Sequence, residues 1–298
     1  MATVEATSTL PAQREQALAL AAALATVVLW ASAFVAIRSA AREFSPGALA
    51  LGRLTIASIA LGLIVVARRE PFPTRRDLPA IAFCGVCWFG LYNLALNEAE
   101  RRVDAGTAAM LVNLGPILIA SLAGVFLRES FPRRLLVGCA IAFAGTVVIG
   151  NATSKHGVTA SWGALLCLAA ALFYAVGVVS QKPVLARVSP LQVTWLACVC
   201  GAVVCLPFTG ALVRQLPDAR GTAIGWMVYL AIAPMALGFL TWGYALARTT
   251  AGRMGATTYL VPPIAILLAW LLLDEAPPVL GVAGGALCLA GVFLAQRR

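Results

Sequence analysis

Long apolar runs separated by short polar segments follow one another along nearly the whole chain. Each run holds about 20 residues, the length that an α-helix needs to cross a hydrocarbon core of ~30 Å. A membrane β-barrel would instead show alternating segments of about ten residues. The pattern predicts an all-α integral membrane protein with ten transmembrane helices, at residues 17–41, 47–67, 78–98, 105–127, 134–151, 161–182, 190–213, 222–246, 252–273 and 277–295.

The second half of the chain repeats the first. At an offset of 146 residues, Pro262, Glu275 and Gly284 match Pro116, Glu129 and Gly138; at an offset of 144, Tyr174, Lys182, Ser189 and Pro190 match Trp30, Arg38, Ser45 and Pro46. Because each copy contains an odd number of spans, the two copies cross the membrane in opposite directions, as in many secondary transporters. We expect two inverted five-helix repeats around a central cavity: a cytosolic N-terminal tail at 1–16, repeats at 17–151 and 161–298, and a linker at 152–160.

The composition agrees with a membrane protein. Hydrophobic residues make up 61% of the 298 and charged residues 11%, and the mean hydropathy is +0.91, whereas charged residues form roughly a quarter of an ordinary soluble protein. In a soluble protein the net charge of +10 would suggest a nucleic-acid partner, but here the basic residues lie in short segments between apolar runs. We therefore expect a lipid bilayer around the chain and no nucleic acid.

The basic residues also predict an orientation. With both termini in the cytoplasm, the cytoplasmic segments hold 14 Lys and Arg residues and the opposite side holds 7. Short loops rich in Lys and Arg stay on the cytoplasmic side, so the count favours cytoplasmic N and C termini. The expected location is the bacterial inner membrane, crossed many times.

Prolines interrupt the fourth and ninth spans at matching places. Pro116 and the pair Pro262-Pro263 each remove a hydrogen bond from their helix. Exposed carbonyls at that depth are tolerated where they are buried in protein or line a watery cavity, and paired broken helices in inverted repeats indicate a transport site. A kink that only improves packing is the alternative.

Polar and aromatic side chains are concentrated in the same spans as these breaks. Such groups rarely face lipid, although each one alone is also consistent with contacts between helices or with an aromatic belt at the membrane surface. Taken as a set, they predict a cavity for a small amphipathic solute. The candidate cavity residues are Trp30, Ser32, Phe34, Tyr92, Asn93, Asn113, Pro116, Tyr174, Trp242, Tyr259 and Pro262.

We expect structural roles for the remaining charged and reactive residues. We expect Arg53 to form a structural pair, with contact to a substrate carboxylate as the alternative, and Glu129 and Glu275 to stabilise the start of the following helix through its positive end rather than to bind substrate. The eight cysteines lie in apolar runs and the single histidine, His156, lies in a polar loop. We therefore expect no metal and no cofactor. An integral-membrane enzyme, the alternative of another class, would need paired acids, histidines or a nucleophile with its base.

Several of these features together resemble a known family. They are the duplicated five-helix unit, the motif of Trp30, Ser32 and Phe34, the Ser45-Pro46 before the second span, and a proline followed thirteen residues later by Glu and then by spaced glycines. The chain resembles the drug/metabolite transporter superfamily, EamA family, and is similar to its YddG-type aromatic amino-acid exporters. The resemblance implies that the first, third, fourth, sixth, eighth and ninth helices surround the cavity.

The resemblance and the residues lead to one functional expectation. The chain is expected to export amino acids, including aromatic ones, or related small metabolites by alternating access. An exporter of hydrophobic drugs is the alternative within transport. The expected partners are a small-molecule substrate and the bilayer, and a monomer is favoured over a homodimer.

Overall fold

The computed structural model describes residues 9–100, 102–103, 105–130, 132–153, 161–273 and 278–297. Most of the predicted linker, with His156, and residues 274–277, with Glu275, lie outside the described residues. Within them the chain is helical and has no strand, and nine helices are long and apolar enough to cross a membrane; the broken span at 251–273 is a tenth and is not one of these nine. The first to tenth spans are Thr9–Ala40, Pro46–Arg68, 78–100, 105–127, Arg133–Thr153, Trp162–Val184, Pro190–Gln215, Gly221–Arg248, 251–273 and Val279–Gln296.

The second span of each repeat begins in the same way. Ser45 and Ser189 have extended backbones and precede a proline in the first turn of the helix, where proline's fixed φ suits a helix start. The Ser189 hydroxyl also accepts a hydrogen bond from the Gln192 N–H at 3.2 Å. The repeated Ser-Pro pair therefore sets the same boundary in both halves.

Six spans form a ring, in which the third and eighth spans meet through the side chains of Trp88 and Phe239, with ring centroids 4.8 Å apart. The first span packs against the eighth and ninth, the sixth packs against the third and fourth, and the fourth packs against the ninth. These are the six spans that the family resemblance implies. Every one of these contacts joins one repeat to the other, so the centre of the ring is also the boundary between the two repeats.

The fifth and tenth spans pair outside this ring through a glycine seam, which consists of Gly138 and Gly145 on one helix and Gly284 and Gly291 on the other. A Cβ atom added at Gly145 would lie 2.6 Å from the Gly284 carbonyl oxygen, and one added at Gly291 would lie 2.5 Å from the Gly138 carbonyl oxygen. Contacts this short leave no room for a side chain. The two backbones therefore touch directly, as small residues allow between membrane helices.

Helix irregularities recur at the offset of the sequence repeat. The third span contains a π-helix at Gly85–Leu91 and the eighth contains one at Ala231–Leu237, 146 residues later. The fourth span has a turn at 113–114, and the ninth has a 3₁₀ segment at Thr258–Leu260. As predicted, both of these breaks accompany prolines, and each break lies in the turn before its proline, where the proline ring clashes with the preceding turn and removes a hydrogen bond.

Polar contacts join the halves at both ends of the bundle. At one end Arg220 pairs with Glu43, and at the other Arg187 pairs with Asp77 at 2.7 Å. Hydrogen bonds from Arg220 hold the pKa of the Glu43 carboxyl below its ordinary value, and hydrogen bonds from Thr74 and then Arg187 do the same for Asp77. Each end is thus closed by charged contacts between loops of different repeats.

Candidate functional site

Aromatic side chains fill the middle of the six-span ring. This aromatic centre is built from the first, third, sixth and eighth spans, and its ring centroids lie 4.3–6.4 Å apart. At such separations tilted and edge-to-face arrangements stabilise aromatic pairs beyond their burial. Its members are Trp30, Trp88, Phe89, Tyr92, Tyr174, Phe239 and Trp242.

Trp30 is positioned by the π-helix of the eighth span. Its indole N–H donates to the Pro234 carbonyl at 3.2 Å, and its ring stacks on Trp242 with centroids 5.0 Å apart. A Cβ atom at Gly238 would lie 2.9 Å from the indole nitrogen. The irregular backbone thus supplies both the acceptor and the space that this tryptophan needs.

Tyr174, the counterpart of Trp30 in the second repeat, is held in a similar way. A Cβ atom at Gly115, beside the break of the fourth span, would lie 2.5 Å from the Tyr174 ring. The Tyr174 hydroxyl donates to Thr258 Oγ1 at 3.5 Å, in the 3₁₀ segment of the ninth span. Both broken spans therefore help to place one aromatic ring.

Gln181 is a buried polar group that sequence reasoning missed. Its side-chain carbonyl accepts a hydrogen bond from the Trp242 indole N–H at 3.3 Å. Its amide nitrogen is buried and has no hydrogen-bond partner among the described residues. A neutral glutamine beside the lysine at the end of an apolar run gave no separate signal in the sequence.

The structure gathers Trp30, Tyr92, Tyr174 and Trp242 of the candidate cavity set into the aromatic centre. Trp88, Phe89 and Phe239 join them, although they are not in that set. A period of 3.6 residues reveals which residues share a helix face, but not which face points to the ring. Their positions therefore depend on the packing of neighbouring spans.

Other members of the set lie between particular helices. Asn93 is buried, donates to the Phe89 carbonyl at 2.7 Å and accepts a hydrogen bond from Arg53, a contact of the kind that a structural pair for Arg53 would make. Ser32 bonds with the Tyr229 hydroxyl at 2.7 Å. Tyr259 is fully buried against the fifth and tenth spans.

The last members of the set lie at the helix breaks. Asn113 is half-buried in the turn of the fourth span, Pro116 is buried at the start of the next helical segment, and Pro262 is half-buried in the corresponding place. The side chain of Phe34 lies outside the described part of the structure. Asn113, Pro116 and Pro262 shape the backbone around the aromatic centre.

A cavity of about 550 Å³ opens where the eighth span ends and the ninth begins. This vestibule has an apolar wall of Ala19, Leu20 and Ala23 from the first span, with Ala245 and Met254 beside it. Its charged lining residues are Glu129, Lys182, Arg248 and Arg253. The basic residues predominate, so the vestibule has a positive balance of formal charge.

Two of these charges fix the turn between the eighth and ninth spans. The Lys182 ammonium donates to the carbonyls of Leu246 and Thr249 at 2.5 and 2.6 Å. The Glu129 carboxylate accepts from the backbone N–H groups of Ala251 and Gly252 at 2.9 and 3.3 Å. The prediction that Glu129 stabilises the start of the following helix was wrong, because the loop after the fourth span brings it to the ninth span instead.

The EamA-like transporter family matches this chain twice, at residues 17–151 and 161–296. The two matches together cover nearly the whole sequence. The chain belongs to the EamA-like transporter family. Membership agrees with the two-repeat helical fold and makes this a multi-pass membrane transporter rather than an enzyme.

Relatives of this EamA-family chain include proteins named for transport. It is 41% identical over 273 residues to a protein of Streptantibioticus cattleyicolor named probable terminal-alkyne amino-acid exporter, covering 92% of this chain and 91% of that one. It is 27% identical to a probable amino-acid metabolite efflux pump of Salmonella typhimurium, covering 91% and 92%. A protein of known crystal structure has the same fold, with a TM-score of 0.79 at 22% identity over 93% of this chain and 96% of that one.

Proposed function

We propose that this EamA-family transporter exports amino acids, including aromatic ones, or related small metabolites across the bacterial inner membrane. In this proposal both termini lie in the cytoplasm, the orientation that the distribution of basic residues favours. The observation that carries the proposal is the aromatic centre, which lies inside a ring of six spans drawn from both repeats.

The substrate class is supported by the chemistry of the centre and by the relatives. Aromatic rings with a few indole and phenol polar groups suit small solutes that have an apolar side chain. The names of the relatives from Streptantibioticus cattleyicolor and Salmonella typhimurium refer to amino acids or amino-acid metabolites. An amino acid combines such a side chain with a charged end, which fits a site that has an apolar centre and a basic vestibule.

The proposed mechanism is alternating access between the two repeats. Since the contacts of the ring join one repeat to the other, a rocking motion of the halves opens the centre first to one side and then to the other. The loop contacts of Glu43 with Arg220 and of Asp77 with Arg187 lie at opposite ends. Breaking one set while keeping the other would open one end at a time.

Transport by the purified protein in liposomes tests this proposal. Vesicles are loaded with phenylalanine, methionine or propargylglycine, a terminal-alkyne amino acid, and efflux is measured by mass spectrometry. We expect efflux of at least one of the three well above that of protein-free vesicles. Equal leakage for all three, with export of a lipophilic cation instead, would favour the alternative of a hydrophobic-drug exporter.

A further inference from the structure

The basic residues of the vestibule differ in what they already bind. Both strong contacts of Lys182 go to backbone carbonyls. The Arg248 guanidinium donates to the Tyr244 carbonyl at 3.2 Å and lies over the Tyr244 ring, 3.7 Å from its centroid. The Lys182 ammonium is therefore bound by backbone carbonyls, and the Arg248 guanidinium is held against the Tyr244 carbonyl and ring of its own helix.

Arg253 is held in place through its backbone while its side chain remains available. Its N–H donates to Thr250 Oγ1 at 3.3 Å, and its carbonyl accepts from Gln296 Nε2 at 2.9 Å. Its half-buried guanidinium makes no hydrogen bond or ion pair with any described residue and lines the vestibule. A planar guanidinium with five donors is well suited to bind a carboxylate through two hydrogen bonds.

The acid of the vestibule does not neutralise this arginine by direct contact. Both oxygens of Glu129 accept hydrogen bonds from the start of the ninth span. The apolar wall of the first span stands across the same cavity, and 550 Å³ lies within the usual range of small-molecule pockets, about 300–1,000 Å³. A carboxylate with a short apolar side chain matches both kinds of surface.

The vestibule leads towards the aromatic centre along two helices. On the first span, Ala23 lines the vestibule and Trp30 lies seven residues further on, about 10 Å along the helix axis. On the eighth span, Ala245 lines the vestibule and Trp242 lies one turn deeper. The lining of the vestibule thus lies one to two helical turns from the aromatic centre.

We propose that Arg253 binds the carboxylate of the substrate in the vestibule before the substrate reaches the aromatic centre. This inference rests on the proposed function and assigns a substrate class to it: small monocarboxylates with an apolar side chain, of which amino acids are one kind. The ion pair forms on the side where an exporter takes up its substrate, since the termini and the vestibule lie at the same end of the bundle.

The test compares carboxylates with their amides in wild-type and variant transporters. For the best-transported amino acid of the three, inhibition constants are measured for that amino acid and for its carboxamide. We expect wild type to prefer the carboxylate by about tenfold or more, as loss of a charge-assisted hydrogen bond predicts. In Arg253→Gln this preference should fall to about twofold, with KM raised and kcat nearly kept, and Arg253→Lys should restore part of it.

Arg248→Gln is the matched control, because it removes an equal charge from the same cavity. It should keep most of the preference for the carboxylate, since its guanidinium is already bound to Tyr244. An unchanged preference in Arg253→Gln, or an equal loss in both variants, would overturn the inference while wild-type transport upholds the proposed function. Absence of wild-type transport for all three amino acids would overturn both.

Discussion

The glycine seam and the aromatic centre join the two repeats in opposite ways. In the seam, regular helices meet without side chains between them, and added Cβ atoms would lie 2.4–2.6 Å from backbone atoms of the partner helix. In the centre, large rings from four spans fill the space between helices that are interrupted by π and 3₁₀ segments. Close backbone packing resists rearrangement, whereas rings that pack edge to face can shift by rotating side chains.

The glycine seam is expected to be the rigid part of the bundle, and the aromatic centre the part that rearranges. Where backbones are in contact, any displacement has to break many contacts at once because packed interiors are dense. Where helices contain breaks, free backbone groups exist and find partners in side chains, such as the Pro234 carbonyl that binds Trp30. We therefore expect substitutions in the seam to act on folding and substitutions in the centre to act on transport.

The largest effect is expected from Gly145→Val in the seam. Its Cβ would lie 2.6 Å from the Gly284 carbonyl oxygen and 2.7 Å from the Cys288 nitrogen, so the two helices would have to separate. We expect a loss of about 3 kcal/mol or more in unfolding free energy, seen as a lower yield of monodisperse protein on size-exclusion chromatography. The control is Gly225→Ala, where an added Cβ meets no atom within 4 Å. Equal yields of the two variants would show that the seam is not tightly packed.

A smaller effect, on transport alone, is expected from Trp30→Phe in the aromatic centre. The change keeps a ring but removes the hydrogen bond to the Pro234 carbonyl, an interaction that contributes about 1 kcal/mol in a typical protein. We expect kcat/KM for efflux to fall about fivefold while the yield of folded protein stays at the wild-type level. Trp270→Phe, at a side chain that is 48% exposed, should leave transport unchanged. A loss of yield in Trp30→Phe, with no change in transport by the folded protein that remains, would show that the aromatic centre acts on folding rather than on transport.

The smallest effect is expected at the loop contacts that lie outside both regions. Because the folded-state pKa of Glu43 lies below its ordinary value of 4.5, its contact with Arg220 stabilises the fold above that pH. The contribution is lost as the pH falls through the lowered pKa. Glu43→Gln should thus lower Tm slightly at pH 7, and the difference from wild type should shrink towards pH 3. A difference that grows on acidification would contradict this assignment.

Much of the architecture could be predicted from the residues, whereas the site could be predicted only in part. Pro116 and Pro262 marked the breaks correctly, because proline acts on its own helix. The π-helix of the third span had no such signal, since Gly85–Leu91 contains no proline. Glu129 was assigned to the wrong helix because its partners, Ala251 and Gly252, are more than 120 residues away in the chain.

The sequence by itself determined the class, the ten spans, the duplication and the inversion. These follow from hydropathy, spacing and an odd number of spans, all of which are properties of the linear sequence. Only the tertiary structure decided which side chains meet. It brings Trp88 and Phe239 together at the centre, Gln181 to the indole N–H of Trp242, and Arg253 into the vestibule. The rotation of each helix about its axis depends on the shapes of its neighbours. In a chain this apolar, almost every face of a helix is hydrophobic enough to contact lipid, so hydropathy does not indicate which face packs inward.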